Sequence, residues 1–212
     1  PATVSSFNVA SVDLTGGHDL LWNRLHKAHR TEIRKAERNG VTLSRQGSID
    51  RFVELMDASY RGQRTAGPHR AYVRHLYRTL DGFAADLFFA VKDTDYLAGA
   101  LCLPWGGVAY YQFGGTTRTS LGAGAYLQWE VMKHYRKLGF SRYILGQVAS
   151  GPTPAEAKFA LGISPFKRRF GATELPSASR GYVLRPWRHA IWRTLGRFRR
   201  SAEEMRSWTT PE

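Results

Sequence analysis

Val108-Ala-Tyr-Tyr-Gln-Phe113 runs into Gly114-Gly-Thr-Thr-Arg-Thr-Ser-Leu-Gly-Ala-Gly-Ala125 and then into Tyr126-Leu-Gln-Trp-Glu-Val-Met-Lys-His-Tyr-Arg-Lys-Leu-Gly139. The first piece is an apolar, aromatic run of strand length. In the last piece Tyr126, Leu127, Glu130, Val131, His134 and Leu138 recur at helical spacing, and Gly139 supplies a C-terminal stop. Strand, glycine-rich turn, helix is a geometry that aims free backbone N–H groups and a positive helix end at one spot. Phosphate, pyrophosphate or a developing oxyanion binds there. Gly122 and Gly124 are the candidates for that close approach, although glycines kept only for tight packing would read the same way.

Working outward, residues 3–14 read as a strand and residues 19–39 as one helix stopped by Asn39-Gly40. Trp22, Leu25, His29, Ile33 and Ala36 fall on one face of that helix; Arg24, Lys27, Arg30, Arg34 and Arg38 fall on the other. A strand at 41–45, a helix at 48–60 capped by Ser48 and a helix at 71–80 follow. Strands are then predicted at 86–91, 96–103 and 108–113, separated by turn residues such as Pro104-Trp105-Gly106-Gly107. Beyond the glycine turn and its helix come a strand at 142–148, a short helical piece at 154–161, a strand at 182–184 and a basic amphipathic helix at 186–205. The order predicts an α/β (α+β) sandwich of sheet and helices.

The chain has 212 residues, and its 31 Lys and Arg against 17 Asp and Glu give a net charge of +14. Such a surplus attracts polyanions: RNA, anionic lipid headgroups or a diphosphate-bearing substrate. No apolar run approaches the roughly 18 residues of a membrane span. The single cysteine, Cys102, sits in an apolar run and predicts a buried thiol in a reducing, cytoplasmic compartment. The seven histidines show no ligand spacing, so no metal is expected. No Ser, His and Asp set converges on a nucleophile motif. Glu130 and His134, one turn apart, could form an acid/base pair or a plain helix-surface contact.

At this point the order of elements resembles an acyltransferase domain of the GNAT superfamily, which implies a mixed central sheet flanked by helices. The motifs resemble more narrowly the Fem family, aminoacyl-tRNA-dependent peptidyltransferases that build peptidoglycan cross-bridges. Arg30-Thr-Glu-Ile-Arg-Lys-Ala-Glu-Arg-Asn-Gly-Val41 is similar to the family's R-x-x-I-R-K-A-x-x-x-G-V helix. Gly122-Ala-Gly-Ala-Tyr-Leu-Gln-Trp-Glu130 is similar to its turn and following helix, and Phe166-Lys-Arg-Arg-Phe-Gly171 to its F-K-x-x-F-G signature. The three stretches stand in the family's order and span about residues 20–175. Two departures stand out: family members usually carry two such domains, and the strand that often holds an acidic residue reads Tyr143-Ile144-Leu145-Gly146 here.

The resemblance implies three segments: 1–18 as a stub of a preceding domain, 19–184 as the transferase domain and 185–212 as a basic C-terminal helix. It implies an aminoacyl group moved from a tRNA ester to an amine of a peptidoglycan precursor or small peptide, with aminoacyl-tRNA as co-substrate and no resident cofactor. Because the ester is already activated, the barrier lies in positioning and in the tetrahedral oxyanion. A fixed cation answers that need, and the resemblance nominates Lys167, with Phe166 as its packing partner. Arg168 and Arg169, with Arg30, Arg34 and Lys35, could hold tRNA phosphates, and Arg61, Arg64 and Arg70 a substrate phosphate. Tyr110 and Tyr111 alternate in facing, so one should reach the cleft and the other the core. The basic tail could also rest on an anionic membrane. The rival donor is acetyl-CoA or another acyl-CoA, whose phosphate loop Thr119-Ser-Leu-Gly-Ala-Gly124 nearly fits but lacks the leading Gln or Arg. A non-catalytic RNA- or membrane-binding module is the second rival.

Overall fold

The structure, a computed structural model, describes residues 2–62, 67–117, 121–149, 163–182 and 187. Its elements in order are β1 (Ala2–Asp13), α1 (His18–Arg24), α2 (Lys27–Arg38), β2 (Thr42–Ser44), α3 (Ile49–Gly62), α4 (Arg70–Leu80), β3 (Asp86–Lys92), β4 (Asp95–Trp105), β5 (Val108–Thr116), α5 (Ala123–Lys137), β6 (Arg142–Val148), α6 (Ile163–Arg168) and β7 (Thr173–Tyr182). The strands form one seven-stranded sheet in the order β2-β3-β4-β5-β6-β1-β7. Neighbours β2–β3, β3–β4, β4–β5 and β6–β1 are antiparallel, while β5 and β6 run parallel across the α5 connection. The mixed sheet flanked by helices is the class that the sequence predicted. Residues 7–176 form one compact unit, and residues 1–6 with 177–212 form another.

Both faces of the sheet are covered, so its inner strands are apolar on both sides instead of alternating. β3 shows this in consecutive residues. Phe88 and Ala90 enter the cluster under α2 and α5, with Ile33, Leu127, Val131 and Tyr143. Leu87 and Phe89 enter the cluster under α3 and α4, with Phe52, Met56 and Val73. Phe88 and Phe89 are both fully buried, each stabilising the fold by about 2–3 kcal/mol through area removed from water.

Two expectations are corrected, and one falls mostly outside the described residues. The helix expected over 19–39 is two helices, α1 and α2, because Leu25 and His26 adopt extended backbone angles. The His26 side chain then accepts the Ala28 N–H and caps α2. The apolar period runs through the break, which is why the pattern hides it. The last described strand runs over 173–182, and of the stretch expected at 182–184 only Tyr182, its final residue, lies within the described residues. The β7 sequence, Thr-Glu-Leu-Pro-Ser-Ala-Ser-Arg-Gly-Tyr, has weak strand propensity, and Pro176 is tolerated because β7 is an edge strand. Glu130 does not pair with His134; its carboxylate takes the Lys133 ammonium at 2.7 Å, while His134 lies edge-on to Phe88 with centroids 5.1 Å apart. The helical pieces expected at 154–161 and 186–205 lie outside the described residues apart from Trp187, which is exposed.

Candidate functional site

Parallel pairing of β5 with β6 lasts only three residue pairs, Val108 with Arg142, Ala109 with Tyr143 and Tyr110 with Ile144. Yet β5 continues to Thr116 and β6 to Val148. Past Tyr110 the two strands part. The cause lies on β6: its ladder with β1 slips a residue between Ala10 and Ser11, and Gly146 sits at φ +86°, a left-handed conformation that glycine tolerates. A bulge of this kind bends its strand away from the neighbour.

Two elements converge on the opening. α5 follows β5, and Gly122 begins it in a left-handed conformation and has no side chain of its own to cap the first-turn N–H groups. Gly122 also lets α2 come close, since a Cβ there would lie 2.3 Å from the Glu32 carbonyl oxygen. The second element is α6. Ser164 Oγ accepts the Ala149 N–H at 3.0 Å, and the Arg168 guanidinium donates to the Ala149 carbonyl at 3.0 Å and to Glu174 at 2.7 Å. On its other side the His26 N–H donates to the Arg169 carbonyl at 2.8 Å. α6 is thus clamped between the end of β6 and the start of α2.

That clamp aims Lys167. The Lys167 ammonium donates to the Gln147 carbonyl at 2.8 Å, and only 8 % of the residue is exposed. A Cβ on Gly146 would lie 3.4 Å from Lys167 Nζ and 3.9 Å from the Tyr111 carbonyl of β5. The cation therefore stands where the strands part. Burial pushes its pKa down to about 8, so near neutral pH it is still mostly protonated but gives up a proton far more readily than a solvated lysine. Phe166, the residue before it, faces the glycine turn: a Cβ on Gly124 would lie 3.9 Å from the Phe166 ring.

Phe166 meets Gly124 and Lys167 meets Gly146, whereas Gly122 faces the Glu32 backbone of α2. Tyr111 packs against the same core, its hydroxyl fitted into the space left by the missing Cβ of Gly114; burial raises its pKa, so it stays a neutral phenol. Tyr110 faces the opposite way, 44 % exposed. The arginines are dispersed. Arg30 donates to the Asn23 carbonyl at 3.3 Å, Arg34 lies over the Trp22 ring at 5.3 Å, and Lys35 is exposed on the same outer face of α2. Arg70 pairs with Asp57, Arg61 and Arg169 are exposed, and Arg64 lies outside the described residues. Among the described residues no group of His, Cys, Asp and Glu could hold a metal ion, and no helix is long and apolar enough to cross a membrane. Sequence reasoning missed Gly146 and Ser164. The one available signal was a glycine inside an apolar strand.

Comparison with known proteins bears on this geometry. The family model described as an acetyltransferase (GNAT) domain matches residues 23–168. Among solved structures, the crystal structure of FemX is similar at 18% identity and TM-score 0.70, covering 87% of this chain and 63% of that one. L-PGS from Bacillus licheniformis is similar at 12% identity and TM-score 0.60, over 87% and 62% of the two chains. The C-terminal domain of a putative lysylphosphatidylglycerol synthetase from Agrobacterium fabrum is similar at 16% identity and TM-score 0.58, over 84% and 60%. The chain thus spans less than two thirds of each of these structures, and at such identities the likeness is one of fold. No match is found among curated protein sequences.

Proposed function

The chain belongs to the acetyltransferase (GNAT) domain family, and from that premise we propose that it transfers an aminoacyl group from aminoacyl-tRNA to an amine of a peptidoglycan precursor or small peptide. The observation that carries this reading is the buried Lys167 ammonium at the parting of β5 and β6. In the reaction the acceptor nitrogen attacks the ester carbonyl and a C–N bond forms. The carbonyl oxygen becomes an oxyanion, which Lys167 and the α5 N–H groups stabilise where charge develops. The C–O bond to the tRNA ribose then breaks, and the proton released by the amine ends on the ribose oxygen. Positioning and charge stabilisation suffice, since the ester already carries the activation.

The basic outer face of α2, with Arg30, Arg34 and Lys35, and the exposed Arg169 would draw in the tRNA backbone, with aminoacyl-tRNA as co-substrate and no resident cofactor. The lone buried Cys102 fits a reducing, cytoplasmic setting. The second reading, acyl-CoA-dependent N-acyl transfer, is favoured by one observation: an α5 N-terminus begun by a left-handed glycine suits a pyrophosphate as well as an oxyanion. Incubation with radiolabelled aminoacyl-tRNA or acetyl-CoA and a panel of amines separates the two. Label leaving the tRNA supports the first, and label leaving the thioester supports the second. Inactivity with tight, salt-sensitive RNA binding would sustain a non-catalytic binding module instead. Lys167→Ala should lower kcat by about 10²–10³ with little change in binding.

A further inference from the structure

His29 is fully buried, yet the chemistry above makes no use of it. Its place is set by α6. At the C-terminal end of that helix the Phe170 N–H bonds to the Lys167 carbonyl, the Arg169 N–H to the Pro165 carbonyl and the Gly171 N–H to the Arg168 carbonyl. That pattern skips the carbonyl of Phe166, one of the acceptors that a helix end leaves over. His29 Nε2 reaches it at 2.9 Å from α2. The imidazole is held by two rings, Phe170 at 4.2 Å and Phe166 at 4.9 Å between centroids. Its other nitrogen, Nδ1, lies 3.3 Å from the Glu32 carboxylate, near enough for an ion pair but without hydrogen-bond geometry.

A carbonyl can only accept, so the proton of that contact sits on Nε2 and the ring must be held in the tautomer that donates. The peptide it grips joins Phe166 to Lys167. We propose that His29 is a positioning residue: by donating to the Phe166 carbonyl it fixes the backbone from which Lys167 enters the opening between β5 and β6. This rests on the reading of Lys167 as the oxyanion-stabilising cation. The groups facing the imidazole are Glu32 on its own helix, Arg169 from the segment after α6, and the Phe166 carbonyl. Burial dominates and lowers its pKa, Arg169 adds to that, and Glu32 with the carbonyl opposes. The ring is therefore neutral when it grips the peptide near neutral pH.

The test uses the full chain and a readout independent of turnover, the pH profile of Lys167 acylation by a small amine-selective reagent, followed by mass spectrometry. In His29→Leu, which fills the space without a donor, the labelling midpoint of Lys167 is expected to rise by about 1 unit toward that of a solvated lysine. kcat is expected to fall about tenfold or more with KM nearly unchanged. His29→Gln, which can still donate, is expected to recover most of both. A folded His29→Leu protein with an unshifted midpoint would overturn the proposal. A shifted midpoint in a protein that transfers no acyl group would uphold the positioning and sink the reading of function instead. Should His29→Leu not fold, ¹⁵N spectra of the unaltered protein decide: protonation at Nε2 upholds the assignment, and protonation at Nδ1 alone overturns it.

Discussion

A lysine held at 8 % exposure is a stability cost, retained where the proposed transfer calls for a cation. Its pKa falls from 10.5 to about 8, which corresponds to about 3 kcal/mol at neutral pH, partly offset by about 1.5 kcal/mol from the bond to the Gln147 carbonyl. Lys167→Met should therefore raise stability at pH 7 by about 1–2 kcal/mol while lowering kcat by about 10²–10³, read by urea denaturation beside an activity assay. The sign with pH follows from linkage. Between pH 8 and 10.5 the folded amine has lost its proton and the unfolded one has not, so stability rises with pH across that window. The rise should vanish in Lys167→Met, and turnover in the unaltered protein should decline above about pH 8 as the ammonium is lost. Lys167 and Phe166 were legible in the sequence through Phe166-Lys-Arg-Arg-Phe-Gly171. His29 was read only as a member of an apolar helix face, because its partner is a backbone carbonyl 137 residues away.

Among the elements, strand and helix stand in the order that was read, but β5 runs on through Gly114 and Gly115 to Thr116 and α5 begins already at Ala123, so the turn is shorter than the glycine pattern implied. What the pattern did not carry was the reason for Gly122. It stands at φ +82° with a would-be Cβ 2.3 Å from the Glu32 carbonyl, whereas Gly40 stands at φ +73° with nothing within 4 Å. Gly40→Ala should cost about 1–2 kcal/mol, the strain of the left-handed backbone alone. Gly122→Ala should cost more, about 3–4 kcal/mol, because α2 must also move off α5. Thermal melts of the two variants separate strain from clash. The break between α1 and α2 was hidden for a related reason. Leu25 is buried as the helical period demands, and the termination is set by a cap and by the Arg169 carbonyl bonded to the His26 N–H. Neither contact leaves a trace in hydrophobic spacing.

For the whole molecule, acid should loosen the clamp before it unfolds the surface. Burial lowers the pKa of His29 and of His134 below 6.5, so as pH falls through that value the unfolded chain takes up protons that the folded chain refuses, and stability drops. Asp13 and Glu174, both lowered by hydrogen bonds, contribute only at more acid pH, when their carboxylates protonate. A stability profile should therefore begin to decline below about pH 6.5, and in His29→Gln the decline should be shallower. If the basic face of α2 meets tRNA, the affinity should fall steeply with salt, with a log–log slope reduced by about 1 for each of Arg30, Arg34 and Lys35 replaced by Ala. The sequence by itself determined the class of the fold and nominated Lys167 for the proposed role, because apolar period, glycine turns and a short motif are local properties. Only the tertiary structure decided where the helices break, which way Tyr110 and Tyr111 turn, and that β5 and β6 part beside Lys167. Those depend on ladder register, a bulge and backbone contacts between residues far apart in the chain, and such contacts are made by chain atoms that every residue shares.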